Sequence, residues 1–340
     1  MRGNAVYRHS NTVIVSVAAV EAPEVVTSAE FDERLAATYE RLGLRPGLLE
    51  SVAGIRERRW WPEDVSFTDA ATMAGAKALA ESGVEPGQIG LLVDTSVCRD
   101  HLEPSAASAI HHQLRLPSSC LNFDLANACL GFVNGMHLAG TMIDSGQIDY
   151  ALIVDGEGSR RTQEATLGRL AGPEATAADV FAEFASLTLG SGAAAMVLGP
   201  ADRHPEGHRY IGGVARAATE HHTLCVGSID KMTTDTKALL DAGLDLAEAT
   251  WFEAKEEFDW QGMDCYVMHQ ISAVHTSQLC ARLGIDTDHV PLTYPTLGNM
   301  GPASVPFTLA RQVEHLSPGD RVLAMGIGSG INTTCAEILW

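Results

Sequence analysis

The chain has 340 residues, of which 46% are hydrophobic and 19% are charged, so it can bury a large core in one domain or in two packed halves. Its 43 acidic and 23 basic residues give a formal net charge of −20, which disfavours nucleic acid or an anionic membrane as the main partner. The seven cysteines are scattered without a CxxC pair. This pattern predicts a reducing, cytoplasmic environment, with neither a disulfide framework nor a metal site.

The N-terminal segment holds a short β-branched stretch, Thr12–Val20, which is followed by Glu21 and Pro23. We interpret it as a first strand and not as an export signal. No apolar stretch is long enough to span a bilayer, so we expect no transmembrane segment.

Strands and helices alternate along the first half of the chain. The predicted elements are strand Val13–Val20, a helix opened by the capping-box pattern Thr27–Glu30 and ending at Leu42, helix Thr68–Ser82, strand Ile89–Val97, helix Ser105–Leu114, strand Cys120–Leu125, a helix opened by Cys129, and strands Tyr150–Val154 and Ala193–Leu198. This alternation predicts an α/β protein with a parallel core sheet.

The second half repeats this order. Its predicted elements are strand Tyr210–Ala215, a helix within Thr234–Phe258, strand Cys265–Met268, helix Ser272–Leu283, strand Val290–Thr293, helix Ala303–His315, and strands Arg321–Met325 and Ile331–Leu339. The polar segment Gly199–Gly207 is rich in Pro and Gly and is the predicted seam. We therefore predict two similar halves, residues 1–199 and residues 200–340.

Cys129 is the most informative single residue. It follows a buried strand and is predicted to lie in the first turn of an apolar helix, where the helix dipole favours a thiolate. A lone cysteine here would more simply be a small core residue.

Three other polar residues follow related strands. His269 ends the strand Cys265–Met268, Asn299 follows the second-half counterpart of the strand before Cys129, and Glu103 follows the strand that matches the one ending at His269. Each has an ordinary alternative as a cap, a turn residue or a solvated side chain. In parallel sheets reactive groups gather at the carboxyl ends of strands, so their joint occurrence predicts one site.

The segments Ala126–Phe132, Val267–Gln270, Gly298–Gly301 and Gly326–Gly330 resemble motifs of the thiolase superfamily, and of its ketoacyl synthase III branch in particular. The resemblance implies a thiolase fold, in which two similar βαβαβαββ halves pack as a five-layer αβαβα sandwich. It also implies an acyltransferase in which Cys129 is the acylated nucleophile and His269 and Asn299 stabilise a thioester enolate. The backbone N–H groups of Cys129 and Gly330 would form the oxyanion hole.

Glu103-Pro104 departs from the malonyl-using synthases, which form their carbanion by losing carbon dioxide and need no carboxylate base. The surrounding sequence is similar to that of the long-chain acyl-CoA condensing enzymes that open bacterial olefin and β-lactone pathways. This resemblance implies that Glu103 removes the α-proton of an intact acyl thioester. It also implies a homodimer in which Glu103 reaches the partner's site, and downstream pathway enzymes as further partners.

The sequence departs from the family pattern at the residues that contact coenzyme A. Many ketoacyl synthase III proteins carry Trp and Arg where this chain has Leu48 and Val52. Arg160 and Arg161 are candidates for the phosphates, and Trp60 is a candidate for covering a pantetheine channel, although paired Trp residues beside an arginine more often serve surface packing.

The main hypothesis is therefore a non-decarboxylating Claisen condensation of two long-chain acyl-CoA thioesters. Coenzyme A enters as part of the substrates, and no cofactor is expected to stay bound. The alternatives are a decarboxylating 3-oxoacyl synthase that uses a malonyl thioester, and a non-catalytic subunit with the same fold.

Overall fold

The computed structural model describes residues 5–340; residues 1–4, part of the segment predicted not to be an export signal, lie outside the described range. The strands are β1 Ala5–Arg8, β2 Thr12–Glu21, β3 Glu24–Thr27, β4 Glu57–Trp60, β5 Ile89–Asp94, β6 Leu121–Asp124, β7 Tyr150–Glu157, β8 Gly192–Pro200, β9 His208–Ala217, β10 Cys225–Gly227, β11 Met232–Thr234, β12 Cys265–Met268, β13 Arg321–Gly328 and β14 Asn332–Leu339. The helices are α1 Ser28–Leu42, α2 Leu48–Ser51, α3 Phe67–Ser82, α4 Ala106–Gln113, α5 Gly131–Asp144, α6 Arg160–Leu170, α7 Ala177–Leu187, α8 Thr236–Ala254, α9 Ala273–Leu283, α10 Tyr294–Leu297 and α11 Ser304–Gln312.

Local sequence explains where several helices begin. The Thr27 side chain accepts the N–H of Glu30, and the Glu30 carboxylate accepts the N–H of Thr27, so the predicted capping box of α1 is confirmed. Ser66 and Asp69 form the same reciprocal pair at the start of α3.

The sheet repeats one strand order in each half. Hydrogen bonds join the strands in the order β12-β13-β14-β9-β2-β8-β7-β5-β6, and β1 pairs with β9. The arrangement β2-β8-β7-β5 in the first half matches β9-β14-β13-β12 in the second. A short antiparallel contact of Val13 and Ile14 with Arg209 and His208 joins the two halves. The internal repeat predicted from the sequence is therefore present in the strand order.

Helices cover both faces of each half. Val133 of α5 and Val305 of α11 share one hydrophobic core with Leu91 of β5 and Val322 of β13, so these two helices lie between the two halves of the sheet. Helix α3 covers the outer face of the first half, and α8 and α9 cover that of the second. The layers are therefore α, β, α, β, α, and burying each large apolar side chain in them contributes about 1.5–3 kcal/mol.

The predicted strand Val290–Thr293 is wrong. The segment is irregular because the Gln270 side chain satisfies its backbone: Gln270 Oε1 accepts the Thr293 N–H at 2.8 Å, and Gln270 Nε2 donates to the Pro291 carbonyl at 2.6 Å. Pro291 also has no N–H to give to a neighbouring strand.

The boundary between residues 199 and 200 stays a prediction. Strand β8 runs one residue past it, and β1 pairs with a strand of the second half. All seven cysteines are free. Within residues 5–340, no helix has the length and apolarity that a membrane crossing requires, and no cluster of His, Cys, Asp or Glu could hold a metal ion.

Two turns approach each other so closely that a side chain has no room. A Cβ atom on Gly190 would lie 1.7 Å from the Leu297 carbonyl oxygen, whereas one on Gly168, in α6, would meet nothing within 4 Å. We expect Gly190→Ala to lower the free energy of unfolding by about 3 kcal/mol. Gly168→Ala should raise it slightly, by roughly 0.5–1 kcal/mol, because alanine favours a helix. Denaturant titration of both variants measures this difference, and equal stability would contradict the close approach.

Candidate active site

Cys129, the predicted nucleophile, lies on a sharp turn between β6 and α5. Ala128 adopts a left-handed conformation with φ of 46°, which is strained for a residue with a side chain. The Leu130 N–H donates to the Asn127 carbonyl at 3.0 Å, and this bond closes the turn around Cys129. Helix α5 begins at Gly131 with Leu130 as its N-cap, so Cys129 precedes the first helical turn instead of lying in it as the sequence suggested.

The end of β13 brings the second half of the chain against this turn. A Cβ atom on Gly326 would lie 3.0 Å from both the His269 Cβ and the Leu130 Cδ2, and one on Gly328 would lie 3.4 Å from the Cys129 amide nitrogen. The absence of side chains at these two glycines therefore lets His269 and Cys129 approach the same strand end.

The turn after Gly328 holds the predicted oxyanion residue. Gly330 has φ of 133°, and a Cβ atom there would lie 2.6 Å from Asn332 Nδ2. Asn332 Nδ2 in turn donates to Asn127 Oδ1 at 3.4 Å. The glycine turn is thus connected by a hydrogen bond to the turn that carries Cys129.

One hydrogen-bond chain fixes the protonation of His269. Asn299 Oδ1 accepts the Gly301 N–H at 2.9 Å, so the amide oxygen must face this group. His269 Nε2 lies 3.1 Å from the same oxygen, which cannot donate, so Nε2 carries the proton. Both groups are neutral, but the His269 Nε2–H is already donated to Asn299 Oδ1, so it must turn away from this oxygen before it can donate to a substrate.

The loop of Asn299 is anchored to the first half of the chain. The Asn299 N–H donates to the Thr188 carbonyl at 2.9 Å, and the Gly190 N–H donates to the Asn299 carbonyl at 2.8 Å. The glycine-rich segment Leu189–Gly192 is thus a positioning turn for Asn299.

Burial keeps His269 neutral. Desolvation lowers the pKa of His269 to about 4, and the hydrogen bond to Asn299 and the Ile327 backbone offset only part of the change. The imidazole is therefore uncharged at neutral pH, and its Nε2–H is a neutral hydrogen-bond donor.

Burial has the opposite effect on the nucleophile. Desolvation, together with smaller contributions from the charges of Cys225, Glu157 and Asp155, raises the pKa of Cys129 to about 12. The prediction that the helix end stabilises a thiolate is therefore wrong, because desolvation and nearby negative charge raise the pKa of the thiol.

Sequence reasoning missed a group of buried carboxylates beside Cys129. Asp94, Asp155 and Glu157 end the adjacent strands β5 and β7 and are almost completely buried. Desolvation raises the pKa of Asp94 and of Glu157 to about 7, and it raises the pKa of Asp155 well above its usual range. The available signal was the acidic run Asp155-Gly-Glu157 at the end of an apolar strand.

Glu103 lies apart from this buried group. It is exposed on the loop between β5 and α4, at a tip where Leu102 is 92% exposed. Among residues 5–340 of the same protomer, Glu103 has no hydrogen-bond or ion-pair partner. A role in catalysis therefore requires contact with a second molecule.

The weak candidates for coenzyme A contacts are already engaged. Arg160 pairs with Glu24 at 2.9 Å, and Arg161 pairs with Asp230 at 2.9 Å. Trp60 is buried in the core and donates to Gln163 Oε1 at 2.6 Å, so it does not border an open channel. A phosphate at either arginine would have to displace a carboxylate.

The fold and this cysteine–histidine–asparagine group define a thiolase-superfamily acyltransferase of the ketoacyl synthase III branch. Family comparison agrees: the 3-oxoacyl-[acyl-carrier-protein] synthase III model matches residues 123–216, and its C-terminal counterpart matches residues 254–340.

Two relatives specify the family further. The acyl-CoA:acyl-CoA alkyltransferase of Xanthomonas campestris is 46% identical over 97% of this chain and 99% of that protein. The one of Shewanella oneidensis is 35% identical over 98% of this chain and 100% of that protein. The chain belongs to the acyl-CoA:acyl-CoA alkyltransferase family.

The solved structures of Xanthomonas campestris OleA have the same fold. The cerulenin-bound form superimposes with a TM-score of 0.96 at 45% identity, covering 98% of each chain. A cysteine-to-serine variant of the same enzyme, with bound lauric acid and lauroyl-CoA, also has a TM-score of 0.96 at 45% identity, covering 97% of this chain and 99% of that one.

The charge of Glu157 should raise the pH at which Cys129 reacts with an alkylating agent. Because a nearby carboxylate disfavours the thiolate, Glu157→Gln should lower the pKa of Cys129 and move its alkylation to lower pH by roughly one unit. Iodoacetamide labelling across pH, with mass spectrometry of the Cys129 peptide, measures the shift. The matched control is Glu183→Gln, a carboxylate that is buried against Arg169 instead. An unchanged profile for Glu157→Gln would contradict the electrostatic account.

Proposed function

We propose that the protein condenses two long-chain acyl-CoA thioesters through an acyl-Cys129 intermediate, without decarboxylation. The observation that carries this proposal is that Cys129 and the neutral His269–Asn299 pair both lie against the glycine-rich end of β13. The chain is also 46% identical to an acyl-CoA:acyl-CoA alkyltransferase. Its product is a 2-alkyl-3-ketoacyl thioester, which hydrolysis converts to the β-keto acid used in olefin and β-lactone pathways.

The first half-reaction loads the enzyme. The Cys129 sulfur attacks the thioester carbonyl of the first acyl-CoA, and the carbonyl oxygen is held by the N–H groups of Cys129 and Gly330 in the proposed oxyanion hole. The C–S bond to coenzyme A breaks. The thiol proton of Cys129 passes to the coenzyme A sulfur. The step therefore converts the Cys129 thiol and acyl-CoA into acyl-Cys129 and free coenzyme A.

The second half-reaction forms the carbon–carbon bond. The Glu103 carboxylate removes an α-proton from the second acyl-CoA, and His269 Nε2–H and Asn299 Nδ2–H stabilise the enolate oxygen. The enolate carbon attacks the acyl-Cys129 carbonyl. The tetrahedral intermediate then collapses, and the released Cys129 thiolate recovers a proton that balances the one taken by Glu103.

Variants of a related enzyme with solved structures support these roles. The Xanthomonas campestris OleA structures include separate variants of one cysteine, one histidine and one glutamate. The substituted glutamate and cysteine are separated by the same number of positions as Glu103 and Cys129. The Escherichia coli β-ketoacyl synthase III, which represents the decarboxylating alternative, is only 28% identical.

We propose that the active form is a homodimer in which Glu103 enters the partner's site. The loop tip is exposed, and strand β6, which carries Asp124 at its end, is the outermost strand of the sheet, so one side of it is unpaired. Leu121 on this strand and Val97 beside the loop are each about half exposed. A second copy would cover these apolar side chains and the strand edge.

The coenzyme A moiety is proposed to lie along a surface groove of about 400 Å³ instead of at Arg160 and Arg161. Leu48, Val52, Phe181, Phe184 and Lys237 line this groove. Leu48 and Val52 are the residues that stand where many synthases carry Trp and Arg, so the groove occupies the expected entrance. We further propose that the protein is cytoplasmic and keeps no permanently bound cofactor. Its product is consumed by downstream enzymes.

Replacement of Glu103 should separate the two half-reactions. We expect Glu103→Ala to load Cys129 at close to the wild-type rate and to form at least 100-fold less condensed product, because only the second step needs a base. Mass spectrometry of the intact protein and of the products from two saturated acyl-CoAs measures both. Cys129→Ala is the control that should not load. Full condensation by Glu103→Ala would remove the role of the glutamate, and a requirement for malonyl thioester with release of carbon dioxide would favour the decarboxylating alternative.

Subunit mixing tests the donation of Glu103 between protomers. Homodimers of Cys129→Ala and of Glu103→Ala should each be inactive in condensation, whereas their mixed dimers should recover one working site. Tagged heterodimers, purified after refolding or co-expression, provide the measurement. Absence of recovery in verified heterodimers would show that Glu103 does not act across the interface.

A further inference from the structure

This inference rests on the proposed function and concerns how the Glu103 loop is held. The loop between β5 and α4 includes four consecutive exposed residues, His101–Pro104, that project from the protomer. A base on such a tip must be placed within hydrogen-bond reach of a substrate carbon, and a displacement of about 1 Å can cost roughly 100-fold in rate. The base of the loop must therefore be fixed.

A single carboxylate binds both ends of this loop. Asp124 Oδ2 lies 3.2 Å from Arg99 Nη1 on the incoming side and accepts the Ala106 N–H at 3.0 Å on the outgoing side. Asp124 Oδ1 accepts the Ala107 N–H at 2.9 Å. The Asp124 side chain is 7% exposed, so the ion pair with Arg99 is shielded from solvent on its acidic side.

Two further contacts fix the incoming side. Glu157 Oε1 accepts the Val97 N–H at 2.6 Å, and Thr68 Oγ1 donates to Asp100 Oδ2 at 2.8 Å. Cys98 Sγ also donates to the Gly158 carbonyl at 3.3 Å, so the incoming side has several anchors below the exposed tip that carries Glu103.

The position of Asp124 also relates the loop to the nucleophile. Asp124 is the last residue of β6, and Cys129 follows it five positions later in the same strand-to-helix connection. The end of β6 therefore positions both the Cys129 turn and the Glu103 loop of one protomer. In the proposed dimer each protomer supplies Cys129 to its own site and Glu103 to the site of its partner.

We propose that Arg99 and Asp124 are positioning residues for Glu103, which act on carbon–carbon bond formation and not on loading of Cys129. The simpler role of Asp124 is to cap α4, because Ser105 makes no side-chain cap bond there. Arg99 has no part in that cap. Its replacement therefore tests the positioning role without disturbing the helix.

We expect Arg99→Ala to load Cys129 within about 2-fold of wild type and to condense at least 10-fold more slowly. Arg99→Lys, which keeps the charge, should recover condensation to within about 3-fold. Asp124→Asn should resemble Arg99→Ala. The matched control is Arg203→Ala, which removes an exposed ion pair with Asp149 and should leave both half-reactions unchanged.

A double-variant comparison makes the test specific. If Arg99 acts only through Glu103, then adding Arg99→Ala to Glu103→Ala should cause no further loss of condensation. Equal losses of loading and condensation in Arg99→Ala, or unchanged condensation, would overturn the positioning role. Full condensation by Glu103→Ala alone would instead overturn the proposed function, so the two failures are distinguishable.

Discussion

The site depends on the close approach of the end of β13 to the turn that carries Cys129. Gly326 and Gly328, at the end of β13, lie against His269, Leu130 and the Cys129 amide, and atoms at the Cβ positions would be only 3.0–3.4 Å from their nearest neighbours. This spacing places the end of β13, from the second half, against the turn of the first half that carries Cys129. The hydrogen bonds of Asn299 to Thr188 and Gly190 provide a second connection between the same halves. Only glycine fits at position 190, and a side chain at Gly326 or Gly328 would press on His269 or Leu130, so close packing at these glycines determines the geometry of the site.

Burial favours the neutral forms of the groups at the site. At neutral pH it holds Cys129 as a thiol and His269 as a neutral imidazole, and it raises the pKa of Asp94 and of Glu157 to about 7. Neutral groups cost less free energy to bury than isolated charges do. The proposed attack by Cys129 therefore requires that the thiol lose its proton as the new bond forms.

The sequence predicts the framework better than the chemistry. The reciprocal pattern of Thr27 and Glu30 identifies the start of α1, because a capping box is a local interaction. The positions of Cys129 and His269 follow from strand ends in a parallel sheet. The raised pKa of Cys129 could not be predicted, because it arises from burial of the thiol and from the charges of Asp155 and Glu157, which lie on a different strand. For the same reason the irregular segment at 290–293 was unpredictable: the amide group of Gln270, about twenty residues earlier, takes its hydrogen bonds.

The pairing of β1 with β9 has a consequence for the independence of the two halves. Residues near the start of the chain complete the sheet of the C-terminal half, while β2 also touches β9 beside them. A gene cut in the connection between β8 and β9 would leave the C-terminal fragment with an open strand edge and the N-terminal fragment with an orphan strand. The two pieces would then have to complement each other, so the two similar halves form a single interlocked unit.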